Sequence, residues 1–255
     1  MSFANKVVIV TGASSGIGAA AAVLFAREGA CVVMVGRNQS KLSKVAEQCA
    51  RDGQAPLVIR ADVTNDNDVK RIVDETINKF GKIDVLVNNA GISVFGSILK
   101  GDILKAYDET MLVNLRAVVH LTTLAAPHLV KTKGNIVNIS SIAGKMAPGV
   151  TFIPYNTSKA ALDHFTRGAA LELAASGVRV NGISPGPVIT DFLDNNKISN
   201  LGLTFDTMGA SVPLNRCSQP EEIAELILYL ASDKAKGITG SDFVSDNGGM
   251  LRFRM

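Results

Sequence analysis

Tryptophan is absent from the 255 residues, tyrosine occurs three times, and aromatic residues make up only 5%. Indole fluorescence therefore offers no handle on ligand binding. Cysteine is scarce as well. Cys31, Cys49 and Cys217 form no Cys-x-x-Cys pair and cannot all pair with one another, which excludes a disulfide framework and points to free thiols in a reducing compartment. No charge sign dominates: 26 Lys plus Arg against 23 Asp plus Glu leave +3, too mild and too evenly spread for a nucleic-acid surface. Long apolar runs are missing too. The alanine-rich stretch from Ala19 to Ala26 ends at Arg27 and Glu28, short of the ~20 apolar residues of a membrane span. Met1–Asn5 carries no apolar core of the kind a secretory signal needs. His120, His128 and His164 have no acidic partner at metal-ligand spacing, so no metal is expected. The expectation is a soluble, cytoplasmic protein with neither membrane nor nucleic acid among its partners.

What is present is globular: 47% hydrophobic and 19% charged residues exclude a disordered or collagen-like chain. At this length one α/β domain over 1–255 is expected, burying roughly three quarters of its unfolded surface. Short runs, apolar nearly throughout, read as strands covered on both faces: Lys6–Thr11, Cys31–Gly36, Pro56–Ala61, Ile83–Asn88, Asn135–Ser140, Val178–Ser184 and Asp242–Ser245. Helical patterns lie between them, near 16–28, 40–52, 66–79, 103–126, 155–175 and 220–231. Thr64, Asn65 or Asp66 can cap the third helix, and Gly29, Gly53 and Gly81 can end the first three. Pro220 with Glu221 and Glu222 suits a first helical turn. Such alternation predicts right-handed crossovers and one Rossmann-type, doubly wound parallel sheet of about seven strands. The stretch from Ile189 to Val212 has no strong period. A connection that long reads as a substrate loop or lid, with Phe192, Leu193, Ile198, Leu201, Leu203, Phe205 and Met208 as its apolar residues.

Chemistry-bearing motifs sit at strand ends, where open α/β sheets bind ligands. Thr11-Gly12-Ala13-Ser14-Ser15-Gly16-Ile17-Gly18 closes the first strand and opens the first helix. Glycines there let the backbone approach a pyrophosphate, whose charge faces the free N–H groups of the helix start. The second strand ends at Gly36-Arg37. An acidic residue at this place would hold the ribose hydroxyls of NAD; Gly36 offers none, and Arg37 can pair with a 2′-phosphate. That favours NADP(H), although Ser15 is not basic and NAD(H) stays open. Asp62-Val63 follows the third strand and Asn88-Asn89-Ala90-Gly91 the fourth. Read alone, the first is a helix cap and the second a turn. Tyr155 and Lys159 are four apart at a helix start and share one face. A nearby ammonium favours a phenolate and would lower the tyrosine pKa from ~10 towards the range of acid–base work. Ser140 and Ser141 end the fifth strand. Asn114, among Met111, Leu112, Val113 and Leu115, is costly if buried without partners.

Taken together these pieces resemble the short-chain dehydrogenase/reductase family over essentially the whole chain. The matching residues are Thr11–Gly18, Asp62-Val63, Asn88–Gly91, Asn114, Asn138-Ile139-Ser140-Ser141, Tyr155/Lys159, and Pro185-Gly186 with Thr190. Among relatives the chain is similar to bacterial-type 3-oxoacyl carrier-protein reductases and to animal carbonyl reductases. The resemblance implies Tyr155 as general acid, and Lys159 as the residue that holds the nicotinamide ribose and depresses the tyrosine pKa. Ser141, followed by Ile142-Ala143-Gly144, would hydrogen-bond the developing alkoxide, and Asn114 would hold a relay water. It further implies that Asn89, Ala90 and Gly91 line the adenosine ribose, that Asp62 and Val63 touch adenine, and that Val188 and Thr190 meet the carboxamide. Asn88 would tie strands together. Ser141 and Tyr155 stand one residue further apart than is usual in relatives, a departure the loop Ala147–Phe152 can absorb. Asp191, directly after Thr190, reads as a cap.

The expected function is an NADP(H)-dependent carbonyl reductase or alcohol dehydrogenase. Its substrate would be hydrophobic (steroid-like, isoprenoid or 3-oxoacyl), with Phe95, Phe152 and Ile153 beside the lid residues. A homo-oligomer, tetramer or dimer, is expected from the resemblance, with Leu112, Leu115, Val119 and Leu121 as an apolar stripe. A dinucleotide-binding sensor without catalysis is the alternative from another class. An epimerase or dehydratase of the extended relatives is disfavoured by the short length and the Gly12-Gly16-Gly18 spacing.

Overall fold

The computed structural model describes residues 3–196 and 202–251. Ile198 and Leu201, two of the expected lid residues, lie outside the described residues. The strands are β1 Val7–Thr11, β2 Cys31–Gly36, β3 Leu57–Arg60, β4 Val85–Asn88, β5 Asn135–Ile139, β6 Arg179–Pro185 and β7 Asp242–Ser245. All pair in parallel in one sheet, in the order β3-β2-β1-β4-β5-β6-β7. The helices are α1 Gly16–Arg27, α2 Gln39–Asp52, α3 Asp66–Phe80, α4 Ile103–Met111, α5 Ala117–Thr132, α6 Ile153–Ala174, α7 Phe192–Asn195, α8 Phe205–Gly209 and α9 Pro220–Ala231.

Alternate residues of β1 and β2 feed two separate cores. Val8, Val10, Val32 and Met34 pack under α1, α2 and α9 with Phe25, Leu42 and Ile227. Val7, Ile9, Val33 and Val35 pack under α3, α5 and α6 with Ile72, Leu121 and Ala169. Burying such a Val, Leu or Ile is worth roughly 1.5–3 kcal/mol, which is why apolar runs as short as four residues become strands here. Local signals set the helix ends. Asn65 caps α3, accepting the N–H groups of Asn67 and Asp68, and Gly81 closes it in the left-handed region at φ 75°. Gln219 and Glu222 form a reciprocal cap at the start of α9.

The segment expected as one helix over 103–126 departs from that reading. It breaks into α4, a π turn over Leu112–Arg116 and α5, and α5 continues through Pro127 to Thr132. Pro127 is exposed, so the hydrogen bond it cannot make leaves a carbonyl facing water. Among the described residues no helix is long and apolar enough to cross a membrane.

Strand order reverses direction between β1 and β4, so the loops that follow these two strands diverge to form a crevice at the carboxyl edge of the sheet. Thr11 at the end of β1 ties them together. Its Oγ1 accepts the N–H of Asn89 at 3.0 Å and of Ala90 at 3.1 Å.

Candidate active site

The glycine motif forms the floor of this crevice. Gly12 and Gly16 lie in the left-handed region at φ 65° and 55°. A Cβ on Gly12 would meet Asn89 Nδ2 at 2.8 Å, and one on Gly18 would meet the Gly12 carbonyl oxygen at 2.4 Å. Glycine is therefore required at Gly18 for the close approach of α1 to the loop. Ser15 stands at the N-cap of α1 without a capping hydrogen bond, and the first turn has no acidic residue. The first N–H groups of α1 thus face the crevice without side-chain caps, the arrangement that receives phosphate. Ser14 and Ile17 flank this turn, and the Ser14 Cβ would lie 3.5 Å from a Cβ on Gly36. From the far side Thr190 closes in: its Cγ2 would be 2.8 Å from a Cβ on Gly16.

At the ends of β2 and β3, Arg37 is largely exposed and its Nη1 lies 3.9 Å from Asp62 Oδ2. Asp62 is not the cap of α3. Its Oδ1 accepts the Thr64 N–H at 2.9 Å and the Thr64 hydroxyl at 2.8 Å, closing the turn that carries Val63. Asn89 turns its side chain inward, donating to the Thr11 carbonyl at 2.9 Å and to Gly12 at 3.3 Å, so its amide braces the floor while Ala90 and Gly91 remain at the crevice. Asn88 ties strands: its Nδ2 donates to Asn138 Oδ1 at 2.9 Å, Asn138 Nδ2 to Thr166 Oγ1 at 2.9 Å, and Thr166 Oγ1 to the Leu162 carbonyl at 2.8 Å.

Two side chains, Asn114 and Lys159, meet beside Gly91, and Tyr155 adjoins Lys159. A Cβ on Gly91 would stand 3.4 Å from Asn114 Oδ1 and 3.5 Å from Lys159 Nζ. Asn114, in the π turn and fully buried, accepts the Ile92 N–H and donates to the Ile92 carbonyl, each at 2.9 Å, and reaches Ser158 Oγ at 2.9 Å. Lys159 Nζ donates to the Ile139 carbonyl at 2.8 Å and lies 5.7 Å from the centre of the Tyr155 ring. The two neighbouring serines part company. Ser140 Oγ donates backwards to the Lys159 carbonyl at 3.2 Å, whereas Ser141, N-cap of a short 3-10 turn over Ile142–Gly144, accepts the Ala143 N–H at 3.1 Å and lies beside the Tyr155 phenol. The extra residue between Ser141 and Tyr155 falls where a second 3-10 turn, Val150–Phe152, leads into α6.

Electrostatics correct one expectation. Burial pushes the Tyr155 phenol up to about 12, and Ser141 opposes that rise, so desolvation sets the direction of the shift. Lys159 moves the other way: burial lowers it to about 8, and Asp163 works against that fall. Above these groups, the Phe192 ring lies 5.7 Å from that of Tyr155, and Phe95 meets Phe152 edge-on at 5.1 Å. Leu193 is buried, with Leu203 and Phe205 half-buried. Asn196 Oδ1 accepts the Ser93 N–H at 2.7 Å, joining this segment to the loop after β4. Asp191 stands at the start of α7 but caps nothing; its carboxylate pairs with Lys41 at 2.6 Å. Val188 bridges to Ser218.

A glycine cradle at a helix start and a Ser-Tyr-Lys-Asn cluster share one crevice, and sequence comparison decides what family built it. Residues 12–250 match the family model described as enoyl-(acyl carrier protein) reductase. The chain belongs to the short-chain dehydrogenase/reductase family. It is 37% identical over 252 residues to the 3-oxoacyl-[acyl-carrier-protein] reductase of Thermotoga maritima, covering 97% of this chain and 99% of the relative. It is likewise 37% identical over 249 residues to meso-2,3-butanediol dehydrogenase of Serratia marcescens, covering 97% and 96%. A short-chain dehydrogenase/reductase of unknown function from Caenorhabditis elegans, solved with its cofactor, superposes with a TM-score of 0.92 at 37% identity, covering 100% of this chain and 98% of that one. As a short-chain dehydrogenase/reductase the chain is an oxidoreductase of alcohol and ketone substrates that uses a nicotinamide dinucleotide. The crevice fits that group, since the uncapped N–H groups of α1 and the glycines that admit no Cβ leave room for a pyrophosphate. Among the described residues no cluster of His, Cys, Asp or Glu could hold a metal ion.

Sequence reasoning missed Thr11 as the peg between the two loops, Ser158 as the partner of Asn114, and the Ile139 carbonyl that anchors Lys159. All three are pairings between distant parts of the chain, and composition gives no sign of them.

Proposed function

We propose that this short-chain dehydrogenase/reductase is an NADP(H)-dependent reductase that interconverts a hydrophobic ketone or aldehyde with its alcohol. The observation that carries the proposal is the grouping of Asn114 and Lys159 at Gly91, with the Tyr155 ring 5.7 Å from Lys159 Nζ and Ser141 beside the phenol. Gly12, Ser14, Ser15, Gly16, Ile17 and Gly18 would hold the phosphates and Asp62 and Val63 the adenine. Asn89, Ala90, Gly91 and Lys159 would hold the riboses, and Val188 and Thr190 the carboxamide. The bound nicotinamide supplies or accepts a hydride. Tyr155, a phenol that is protonated at neutral pH and that burial raises further, would pass its Oη proton to the carbonyl oxygen as that oxygen gains charge. Ser141 Oγ–H hydrogen-bonds the same oxygen. The Lys159 ammonium stabilises the phenolate left behind, and Asn114 fixes the Ile92 backbone next to it. Phe192, Leu193, Leu203 and Phe205, with Phe95 and Phe152, would exclude water and receive an apolar substrate.

Preference for the 2′-phosphate rests on Arg37, exposed and only loosely paired with Asp62. The exposed apolar side chains Leu104, Tyr107, Leu112 and Val119 support self-association as a dimer or tetramer, which light scattering reads directly. Leu121 of the expected stripe is core.

Thermal unfolding with NADPH, NADH, NADP and NAD side by side tests the cofactor reading. A ligand at ~100 times its dissociation constant adds about 2.7 kcal/mol. Stabilisation by NADPH well beyond NADH is expected; equal shifts would remove the role given to Arg37. Tyr155→Phe should then keep the cofactor-induced shift and lose turnover over a panel of carbonyls. Retained turnover would overturn the assignment.

A further inference from the structure

Behind the proposed catalytic lysine lies a charged cluster that the hydride and proton transfers do not use. Lys145 follows the 3-10 turn that begins at Ser141. Its Nζ sits 2.8 Å from Asp163 Oδ2 on α6 and 2.7 Å from Asp242 Oδ2 on β7. The Ser184 hydroxyl on β6 donates to Asp242 Oδ1 at 2.8 Å. The three charged side chains are only 24%, 8% and 15% exposed. Two glycines make the space. A Cβ on Gly144 would meet the Lys159 carbonyl carbon and the Ala160 nitrogen at 2.9 Å and Asp163 Oδ2 at 3.1 Å, and one on Gly182 would meet Asp242 Oδ1 at 2.8 Å.

Buried ion pairs of this kind add little net stability, because desolvation offsets their attraction. What this one does is join four elements at one point and set a charge close to the site. Asp163 lies one helical turn beyond Lys159, as Tyr155 lies one turn before it, so all three share a face of α6. The charge that acts on Lys159 is that of Asp163. The buried residues that α4 and the π turn present are Ala106, Thr110 and Asn114, and β6 presents Ser184. The carboxylate of Asp163 favours the ammonium form of Lys159, and the Lys145 cation, directly bonded to that carboxylate, weakens its field.

We infer that Lys145, Asp163 and Asp242 form a positioning device for the catalytic set: Asp163 keeps Lys159 charged, while Lys145 moderates that effect and clamps the Ser141 turn to α6. None of the three touches substrate or cofactor; they act through Lys159 and Ser141. The inference rests on the reading of Lys159 given under the proposed function, and its test needs no substrate.

The full-length protein is labelled with ¹³C at lysine Cε and titrated by NMR. Lys159 is recognised by its low midpoint and by loss of its signal in Lys159→Met. Asp163→Asn should lower that midpoint by on the order of one pH unit, the effect of a single charge about one helical turn away. Lys145→Gln should raise it by a comparable amount. Asp163→Glu should return it to the wild-type value. A purely structural role would disturb packing in both single variants without moving the midpoint in opposite directions. Shifts of the same sign, or no shift, overturn the inference. If Lys145→Gln does not fold, the pair Asp163→Asn and Asp163→Glu decides: a fall with Asn and none with Glu supports it, and any other pattern sinks it. Failure of Tyr155→Phe to abolish turnover would instead remove the reading of the reaction and leave these titration results standing.

Discussion

Asn114 and Ser158 are 44 positions apart in the chain and 2.9 Å apart in space, Nδ2 to Oγ. That contact links the π turn to α6, where the Ser158 hydroxyl in turn donates a hydrogen bond to the Tyr155 carbonyl at 2.7 Å. The Asn114 amide also satisfies both backbone groups of Ile92. Asn114→Ala would leave these buried groups without partners, each at a cost of about 1–3 kcal/mol. Denaturant unfolding should show a loss of roughly 2 kcal/mol or more. A loss below about 0.5 kcal/mol would mean that the turn is held by something else.

Two glycines should respond in opposite directions to the same added methyl group. Gly18→Ala places a Cβ 2.4 Å from the Gly12 carbonyl oxygen, so α1 must retreat from the loop. The variant should lose about 1–3 kcal/mol and most of its stabilisation by cofactor. At Gly168, in the middle of α6, a Cβ would have nothing within 4 Å. Gly168→Ala should gain about 0.5–1 kcal/mol with cofactor binding unchanged. Melting both variants with and without NADPH checks the pair.

Lys159 imposes a pH dependence whose sign can be stated. Its value falls from 10.5 unfolded to about 8 folded, so between these limits the unfolded chain binds more protons and stability rises with pH. Below pH 8 a buried ammonium is carried at a cost. Lys159→Met should therefore be the more stable protein at pH 7, by up to roughly 3 kcal/mol, and this advantage should shrink steadily as pH rises to 10. A gap that stays constant from pH 7 to 10 would show that Lys159 is not depressed.

Phe192 offers a test of the apolar lid. Its ring rests against Tyr155, and such an aromatic contact is worth about 0.5–1.5 kcal/mol beyond the area it buries. With a hydrophobic ketone as substrate, Phe192→Ala should raise KM about 5–10-fold, the binding equivalent of ~1–1.4 kcal/mol, with kcat little altered. An unchanged KM would place the substrate elsewhere.

The sheet was legible because its strands are covered on both faces. Val7–Thr11 and Cys31–Gly36 are short apolar runs between turn residues, and their ends agree with the sequence reading to within a residue. Helices with side-chain caps, such as α3 with Asn65, were legible for the same local reason. The break at Leu112–Arg116 was not, because one extra residue in a helical turn changes hydrogen bonding and hardly changes composition; the sole trace is the polar Asn114 in an apolar run. Pro127 misled because a proline on an exposed helix face costs less than one facing neighbours. In the site, Tyr155 and Lys159 could be placed together from their spacing. The Lys41–Asp191 pair and the cluster around Lys145 could not, since each joins residues that only the folded sheet brings near.

The chain of donors that begins at Asn88 runs one way, through Asn138 and Thr166 to the Leu162 carbonyl. Turning Asn88 over would set acceptor against acceptor, and turning Asn138 over would set donor against donor, so neither can flip alone. β4, β5 and α6 are thereby tied in one register behind Tyr155 and Lys159. On the substrate side, the Ser93 N–H held by Asn196 Oδ1 is what joins the segment after β6 to that same register.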